Sequence, residues 1–292
     1  MSCEEWYRTG RQCELSKYSV FYQRDGAGPV LVCLHGFPTS SWDFSFIWSG
    51  LTKKFNCIAP DLIGLGRSSK PPQTMTVALQ ADMVENLLHE LNIGEAHLFV
   101  HDLGDTVAQE LLARQTEGES KISWLSCVFL NGGLFPESHR PRLIQVLLLT
   151  RLAPLVLKFS TKRTFGRNMK NIFSPLHPPT DEFIDRSWQL LCEEEGLKMM
   201  PRLLNYLRER ESNRSRWVSP LEKSVVPMRL INGVLDPVSG YHAAKRFTEL
   251  VENPDVIFLE EAGHYPHVEV PKEVLGHFLQ FHARSPGNRV YN

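Results

Sequence analysis

The sequence predicts an α/β protein, a mostly parallel central sheet flanked by helices, with a helical segment inserted into it. Three observations carry that expectation. Short apolar runs alternate with helix-period stretches as far as residue 130. From about Leu134 to Leu221 helical patterns, prolines and charge clusters replace them, without a convincing strand. The alternation resumes at Val226. We therefore expect a discontinuous core, residues 1–133 and 222–292, and a helical cap, residues 134–221.

Taken in order, Pro29–Leu34 (PVLVCL), Phe55–Ala59 (FNCIA), Ala96–His101 (AHLFVH) and Leu125–Leu130 (LSCVFL) read as strands buried on both faces. Between the second and third, Leu79, Met83, Leu87 and Leu91 recur every fourth residue, which predicts an amphipathic helix. A further helix, Thr106–Arg114, follows the third strand. After the insertion come strand Val226–Asn232, helix Tyr241–Val251, strand Val256–Leu259 and a last helix opened by Pro271, whose missing N–H costs nothing in a first turn. Strands separated by helices imply right-handed parallel crossovers.

Inside the insertion, Leu143–Phe159 (LIQVLLLTRLAPLVLKF) is too short to span a bilayer and is broken by Arg151 and Pro154. It reads as a buried helix pair or a lid over a pocket, with peripheral contact with lipid as a secondary reading. The basic stretch Lys158, Lys162, Arg163, Arg167 and Lys170 reads as a solvated face, or as an attractor of an anionic substrate or lipid headgroup. Arg208–Arg216, mixed in charge, reads as surface. A formal net charge of −1 gives no global field to recruit nucleic acid.

The amino terminus, MSCEEWYRTGRQ, has no apolar h-region and does not read as a secretory signal. Of six cysteines, Cys33, Cys57 and Cys127 sit in strand-like runs as small buried hydrophobes, and Cys3, Cys13 and Cys192 are scattered. Neither a zinc site nor a disulfide framework is suggested, and a reducing compartment fits.

The chemistry concentrates at turns after strands. Val100-His101-Asp102-Leu103-Gly104-Asp105 runs from a strand straight into a helix. Such a turn exposes one side chain at its tip, and the helix amino terminus favours a negative charge there. Asp102 is therefore a candidate nucleophile, with simple helix capping as the alternative. Gly64-Leu65-Gly66 lacks the third glycine and the long helix of a dinucleotide loop, and reads as a turn. No cofactor and no metal are implied.

The words His35-Gly36-Phe37-Pro38, Asp61-Leu62-Ile63-Gly64-Leu65-Gly66-Arg67-Ser68 and His101-Asp102-Leu103-Gly104 resemble the epoxide hydrolase and haloalkane dehalogenase branch of the α/β-hydrolase family. HGFPTSS, HDLGD, VAQELL, LFPESHRP and LDPV bring the chain nearer to its mesoderm-specific transcript-like group. That group carries an amino-terminal hydrophobic segment that this sequence lacks, so a cytoplasmic protein is expected. The resemblance, which covers nearly the whole chain, implies an α/β-hydrolase fold with an inserted helical cap.

It also implies roles. Asp102 becomes the nucleophile, and the backbone N–H groups of Phe37 and Leu103 form the oxyanion hole. His264, in Glu261-Ala262-Gly263-His264-Tyr265-Pro266, becomes the base, with His267 its competitor, and Asp236 becomes the acid that fixes its tautomer. Some dehalogenases carry the acid where Asn131 stands here; asparagine holds no charge, so Asp236 is preferred. Asp236 read alone is a turn-forming Asp-Pro. His35 and His101 shape their turns.

A carboxylate nucleophile suits displacement at an alkyl carbon through an ester on the enzyme. No GxSxG occurs, which argues against ordinary serine esterase chemistry. Dehalogenases of the family hold halide with donors at positions that are Leu103 and Phe37 here, and neither has one. Epoxide hydrolases donate to the epoxide oxygen from cap tyrosines; Tyr206 is the only tyrosine in this cap, and packing is its other reading. The expected function is epoxide hydrolase-like, on a small hydrophobic substrate. The alternatives are dehalogenation, or a hydrolase fold kept as a non-catalytic binding protein.

Overall fold

The structure, a computed structural model, describes residues 1–284; the end of the expected core, residues 285–292, lies outside them. Eight strands form one sheet: β1 (Arg11–Leu15), β2 (Tyr18–Asp25), β3 (Val30–Leu34), β4 (Asn56–Pro60), β5 (Glu95–Val100), β6 (Ser123–Phe129), β7 (Met228–Gly233) and β8 (Val256–Leu259). Their order is β1-β2-β4-β3-β5-β6-β7-β8. The β1–β2 and β2–β4 pairs are antiparallel and the rest parallel.

Alternation along each strand divides the core between the two faces of the sheet. Leu98, Val100 and Phe129 belong to one apolar cluster, with Leu87 and Leu88 of helix Val77–Glu90 and Leu111 of helix Leu103–Glu117. Phe99, Val128 and Leu130 belong to the other, with Trp48 of helix Ser45–Leu51 and Phe278 of helix Pro271–Arg284. A sheet covered on both faces is why these strands read as continuous apolar runs.

All six expected strands are present, within about two residues at each end. The hairpin β1–β2 was not expected. β1, Arg11-Gln12-Cys13-Glu14-Leu15, is an edge strand with only Leu15 fully buried, so it carries no apolar run to recognise. Helix Leu103–Glu117 is longer than the expected Thr106–Arg114 and begins directly after Asp102.

Between β6 and β7 the described chain holds helices and no strand. The apolar run forms two helices, Leu143–Leu148 and Ala153–Lys158, but it is not a buried pair. Leu143, Val146, Leu152, Leu155 and Phe159 are exposed, while Leu148 and Ala153 are buried. Helices of six residues turn less than twice, so few side chains reach the layer beneath. Lys158, Lys162, Arg163, Arg167 and Lys170 are all exposed beside them, and Lys162 pairs with Asp185 at 3.0 Å.

The expectation of a surface segment at Arg208–Arg216 fails at Arg210, which is 2% exposed. Its neighbours lash the insertion to the core: Arg216 pairs with Glu110 and Glu117, and Trp217 Nε1 donates to Glu110 at 2.7 Å. No described helix is long and apolar enough to cross a membrane.

Candidate active site

In a parallel sheet the strand ends that point one way gather their following loops along a single edge. His35, Asp102, Asn131, Asp236 and His264 all lie in such loops, after β3, β5, β6, β7 and β8.

At the tip after β5, Asp102 has φ +50° and ψ −103°, a conformation that L side chains rarely adopt. Holding it costs on the order of 1–3 kcal/mol. The surroundings impose it: Asp102 N–H donates to Asn131 O at 3.1 Å, and Gly104 N–H to His101 O at 2.8 Å and to His35 O at 3.1 Å. A β-carbon on Gly104 would come within 2.3 Å of Leu34 O, and one on Gly36 within 2.6 Å of Asp102 Cβ. Asp102 occupies the cap position of its helix yet makes no capping hydrogen bond. Its Oδ2 instead accepts the backbone N–H of Phe37 at 3.0 Å. Leu103 opens the helix, so its N–H is among the first four without an intrahelical partner.

The flanking loops are tied down by side chains. His35 Nε2 accepts Leu62 N–H at 2.9 Å, so its Nδ1 carries the proton that reaches Gly36 O at 2.9 Å. Asp61 accepts Ser41 N–H and Arg67 N–H, each at 2.8 Å, and the Tyr7 hydroxyl at 3.0 Å. A β-carbon on Gly66 would sit 2.0 Å from Asp61 Oδ2. The carboxylate of Asp61 thus takes a backbone donor that a phosphate would need, and the glycines serve this turn.

After β7 and β8, Asp236 and His264 meet: His264 Nδ1 lies 2.8 Å from Asp236 Oδ2. Asp236 also accepts Val238 N–H at 2.7 Å, Ser239 N–H at 3.0 Å, Ser239 Oγ at 2.7 Å and Asn131 Nδ2 at 3.1 Å. Burial opposes its charge, but the His264 imidazole and these donors hold the carboxyl well below the usual range. Burial likewise opposes a charge on His264. The charge and hydrogen bond of Asp236, then the charge of Asp102, override it and carry the imidazole up to about 9. His264 Nε2 makes no hydrogen bond to any described residue.

The backbone of His264 is clamped from both sides. Its N–H donates to Ile172 O at 2.9 Å, and its carbonyl accepts His101 Nε2 at 2.8 Å. Glu269 accepts Gly263, Tyr265 and Ser174 N–H, each at 2.8 Å. His267, the competing base, is fully buried behind this loop, stacked on Phe44 at 5.2 Å and beside His101 at 4.8 Å. Burial keeps it neutral.

Three side chains of the segment between β6 and β7 face Asp102 as well. Tyr206, 1% exposed, has a hydroxyl without a hydrogen-bond partner. Arg210 lies over its ring at 4.6 Å and donates to Thr106 Oγ1 at 2.7 Å and Asp102 O at 3.2 Å. His139 has both ring nitrogens buried and unpartnered, and burial, then the charge of Arg210, push it down to about 3. Sequence reasoning singled out Tyr206 and missed Arg210 and His139. One signal was available: Tyr206 and Arg210 stand four apart, on one helix face.

A family model described as the alpha/beta hydrolase family matches residues 31–276. Mouse mesoderm-specific transcript protein is 35% identical over 289 residues, covering 94% of this chain and 86% of its own. LipZ of Mycobacterium tuberculosis, named as a hydrolase, is 33% identical over 274 residues, covering 93% and 94%. Among solved structures, the epoxide hydrolase CorEH superposes with a TM-score of 0.78 at 20% identity, over 94% of this chain and 98% of that one. The haloalkane dehalogenase DbeA of Bradyrhizobium elkanii gives 0.74 at 22%, over 94% and 99%. At such identities these two speak for the fold alone.

Proposed function

Since this chain belongs to the alpha/beta hydrolase family, we propose that it is an epoxide hydrolase-like enzyme acting through an aspartyl ester, with residues 134–221 as the cap over its site. The observation that carries this reading is the carboxylate of Asp102 at the strained turn, already accepting the N–H of Phe37 at 3.0 Å.

In the first step an Asp102 oxygen attacks a ring carbon, and the carbon–oxygen bond of the epoxide breaks. The ring oxygen takes the hydroxyl proton of Tyr206, and the proton of the resting His264 imidazolium restores the phenol. Ester formation removes the charge of Asp102, one of the influences that raise His264, so the imidazole becomes a neutral base when it is needed.

In the second step His264 Nε2 takes a proton from water, and the hydroxide attacks the ester carbonyl carbon of Asp102. The N–H groups of Phe37 and Leu103 hold the oxyanion. Collapse expels the diol oxygen, which takes the proton back from His264. The acid left on Asp102 passes its proton to His264, restoring the resting pair. The net reaction is epoxide plus water to a vicinal diol.

Leu103 and Phe37 offer no side-chain donor to a halide, whereas Tyr206 and His139 offer donors that suit an oxygen leaving group. The test is to incubate His264→Gln protein with a panel of epoxides and map the adduct by mass. An ester on Asp102 is expected, with little halide released from haloalkanes by the wild type. Absence of both adduct and turnover over a broad panel would favour a non-catalytic binding protein.

A further inference from the structure

The guanidinium of Arg210 is buried with part of its hydrogen-bonding capacity unmet. It is 2% exposed, and two of its three nitrogens have partners, Thr106 Oγ1 and the main-chain oxygen of Asp102. Its Nη1 is buried with no hydrogen-bond partner, and among the described residues it forms no ion pair. The nearby Asp105 does not supply one. Burial and the charge of Asp102 push its carboxyl well above the usual range, and neither oxygen accepts a hydrogen bond. Guanidinium does not deprotonate in proteins, so a costly unpaired cation has been kept beside the reacting centre.

Gly133 is a glycine because the guanidinium and His139 already occupy the place of a side chain: a β-carbon there would lie 2.2 Å from Arg210 Nη1 and 2.8 Å from His139 Nδ1. The unpartnered hydroxyl of Tyr206 belongs to the ring beneath the guanidinium. Arg210 Nη1 and the Tyr206 hydroxyl thus both stand buried without a hydrogen-bond partner.

We propose that Arg210 is an anion-selecting residue and that the substrate is an epoxide bearing a carboxylate on or next to the ring. A carboxylate presents two oxygens in the plane that a guanidinium fork recognises. The placing of the epoxide rests on the reaction proposed above. At rest Asp102 and Asp236 face His264 and Arg210, two of each sign. When Asp102 becomes an ester its charge disappears, and the substrate carboxylate remains opposite Arg210.

The test uses the full chain and has a binding arm that needs no catalysis. Calorimetry compares 3-phenyl-2,3-dihydroxypropanoate with its neutral amide, on wild type, Arg210→Met and Arg210→Lys. A kinetic arm compares kcat/KM for the matching epoxy carboxylate and epoxy amide. Wild type is expected to prefer the carboxylate by about 30-fold or more, the scale of hydrogen bonds to a charged group. Arg210→Met collapses that ratio to within about threefold, and Arg210→Lys keeps part of it. A merely structural role would lower both ligands alike.

Equal binding of acid and amide by wild type overturns the proposal, as does a ratio that survives Arg210→Met. If Arg210→Met does not fold, the wild-type ratio and Arg210→Lys decide. Selective carboxylate binding with no ester on Asp102 in the His264→Gln protein would keep the anion site and reject the nucleophile. An ester formed equally from charged and neutral epoxides would do the reverse.

Discussion

The side-chain amide of Asn131 donates to Asp236 Oδ2 at 3.1 Å while its own oxygen accepts Gly233 N–H at 2.7 Å. The same Nδ2 reaches Gly233 O at 2.9 Å. One uncharged residue at the end of β6 therefore positions the acid that follows β7. Asn131→Ala removes these bonds and leaves Gly233 groups unpaired in a buried place. It is expected to lower stability by about 1–3 kcal/mol and kcat about tenfold, measured by urea unfolding and steady-state kinetics. Full activity in that variant would mean that Asp236 is held without it.

Asp236→Asn tests the pair itself. The carboxylate is the strongest influence raising His264 against burial, so its loss should bring the imidazole down from about 9 to below 6.5. An NMR titration of His264 reads this directly. With the tautomer no longer fixed, kcat is expected to fall by about 10⁴-fold.

Acid should unfold this protein early. His35, His97, His101, His139, His267 and His282 are all held below the ordinary histidine value, chiefly by burial, and His101, His139 and His282 fall to about 3. Below 6.5 the unfolded chain takes up protons that the folded chain refuses, so stability drops as pH falls towards 3. His264 has the opposite sign. Its contribution is present in full below 6.5 and is lost as pH rises through about 9. Asp43 and Asp105, held above the carboxylate range by burial, offset part of the acid loss, because the folded chain takes up their protons first. With six histidines against them, urea midpoints should still fall from pH 7 to 5, and more gently from 7 to 9, and His264→Gln should flatten only the alkaline side. A midpoint unchanged between pH 7 and 5 would contradict this.

Gly104→Ala probes the turn at Asp102 without altering that side chain. The added carbon would meet Leu34 backbone at 2.3 Å, where no flexible side chain can give way. Destabilisation of more than about 3 kcal/mol, or failure to fold, is expected by thermal unfolding. A variant as stable as wild type would show that this approach of helix and strand is looser than described.

The six strands from β3 to β8 were legible because helices cover both faces of that sheet, which leaves unbroken apolar runs. The β1–β2 hairpin was not, because an edge strand such as Arg11-Gln12-Cys13-Glu14-Leu15 keeps its polar residues in water. The placement of Asp102, Asp236 and His264 in turns after strands was legible from the apolar runs before them, while their proposed roles came from the family resemblance. Arg210 was not legible. A buried guanidinium and a solvated one look alike in a charged stretch, and only packing against Tyr206, Thr106 and Asp102 distinguishes them. Helix Leu143–Leu148 misled for the converse reason: apolar composition does not say which side of a short helix is covered.

The source of the oxygen added to product tests the aspartyl ester most directly. One equivalent of enzyme is taken through a single turnover of an epoxide in ¹⁸O-labelled water. An attacking carboxylate gives its own oxygen to the diol and takes the label from water, so ¹⁸O is expected in the peptide containing Asp102 and not in the first product. Label in that first diol, with none on Asp102, would mean that water attacks the substrate directly.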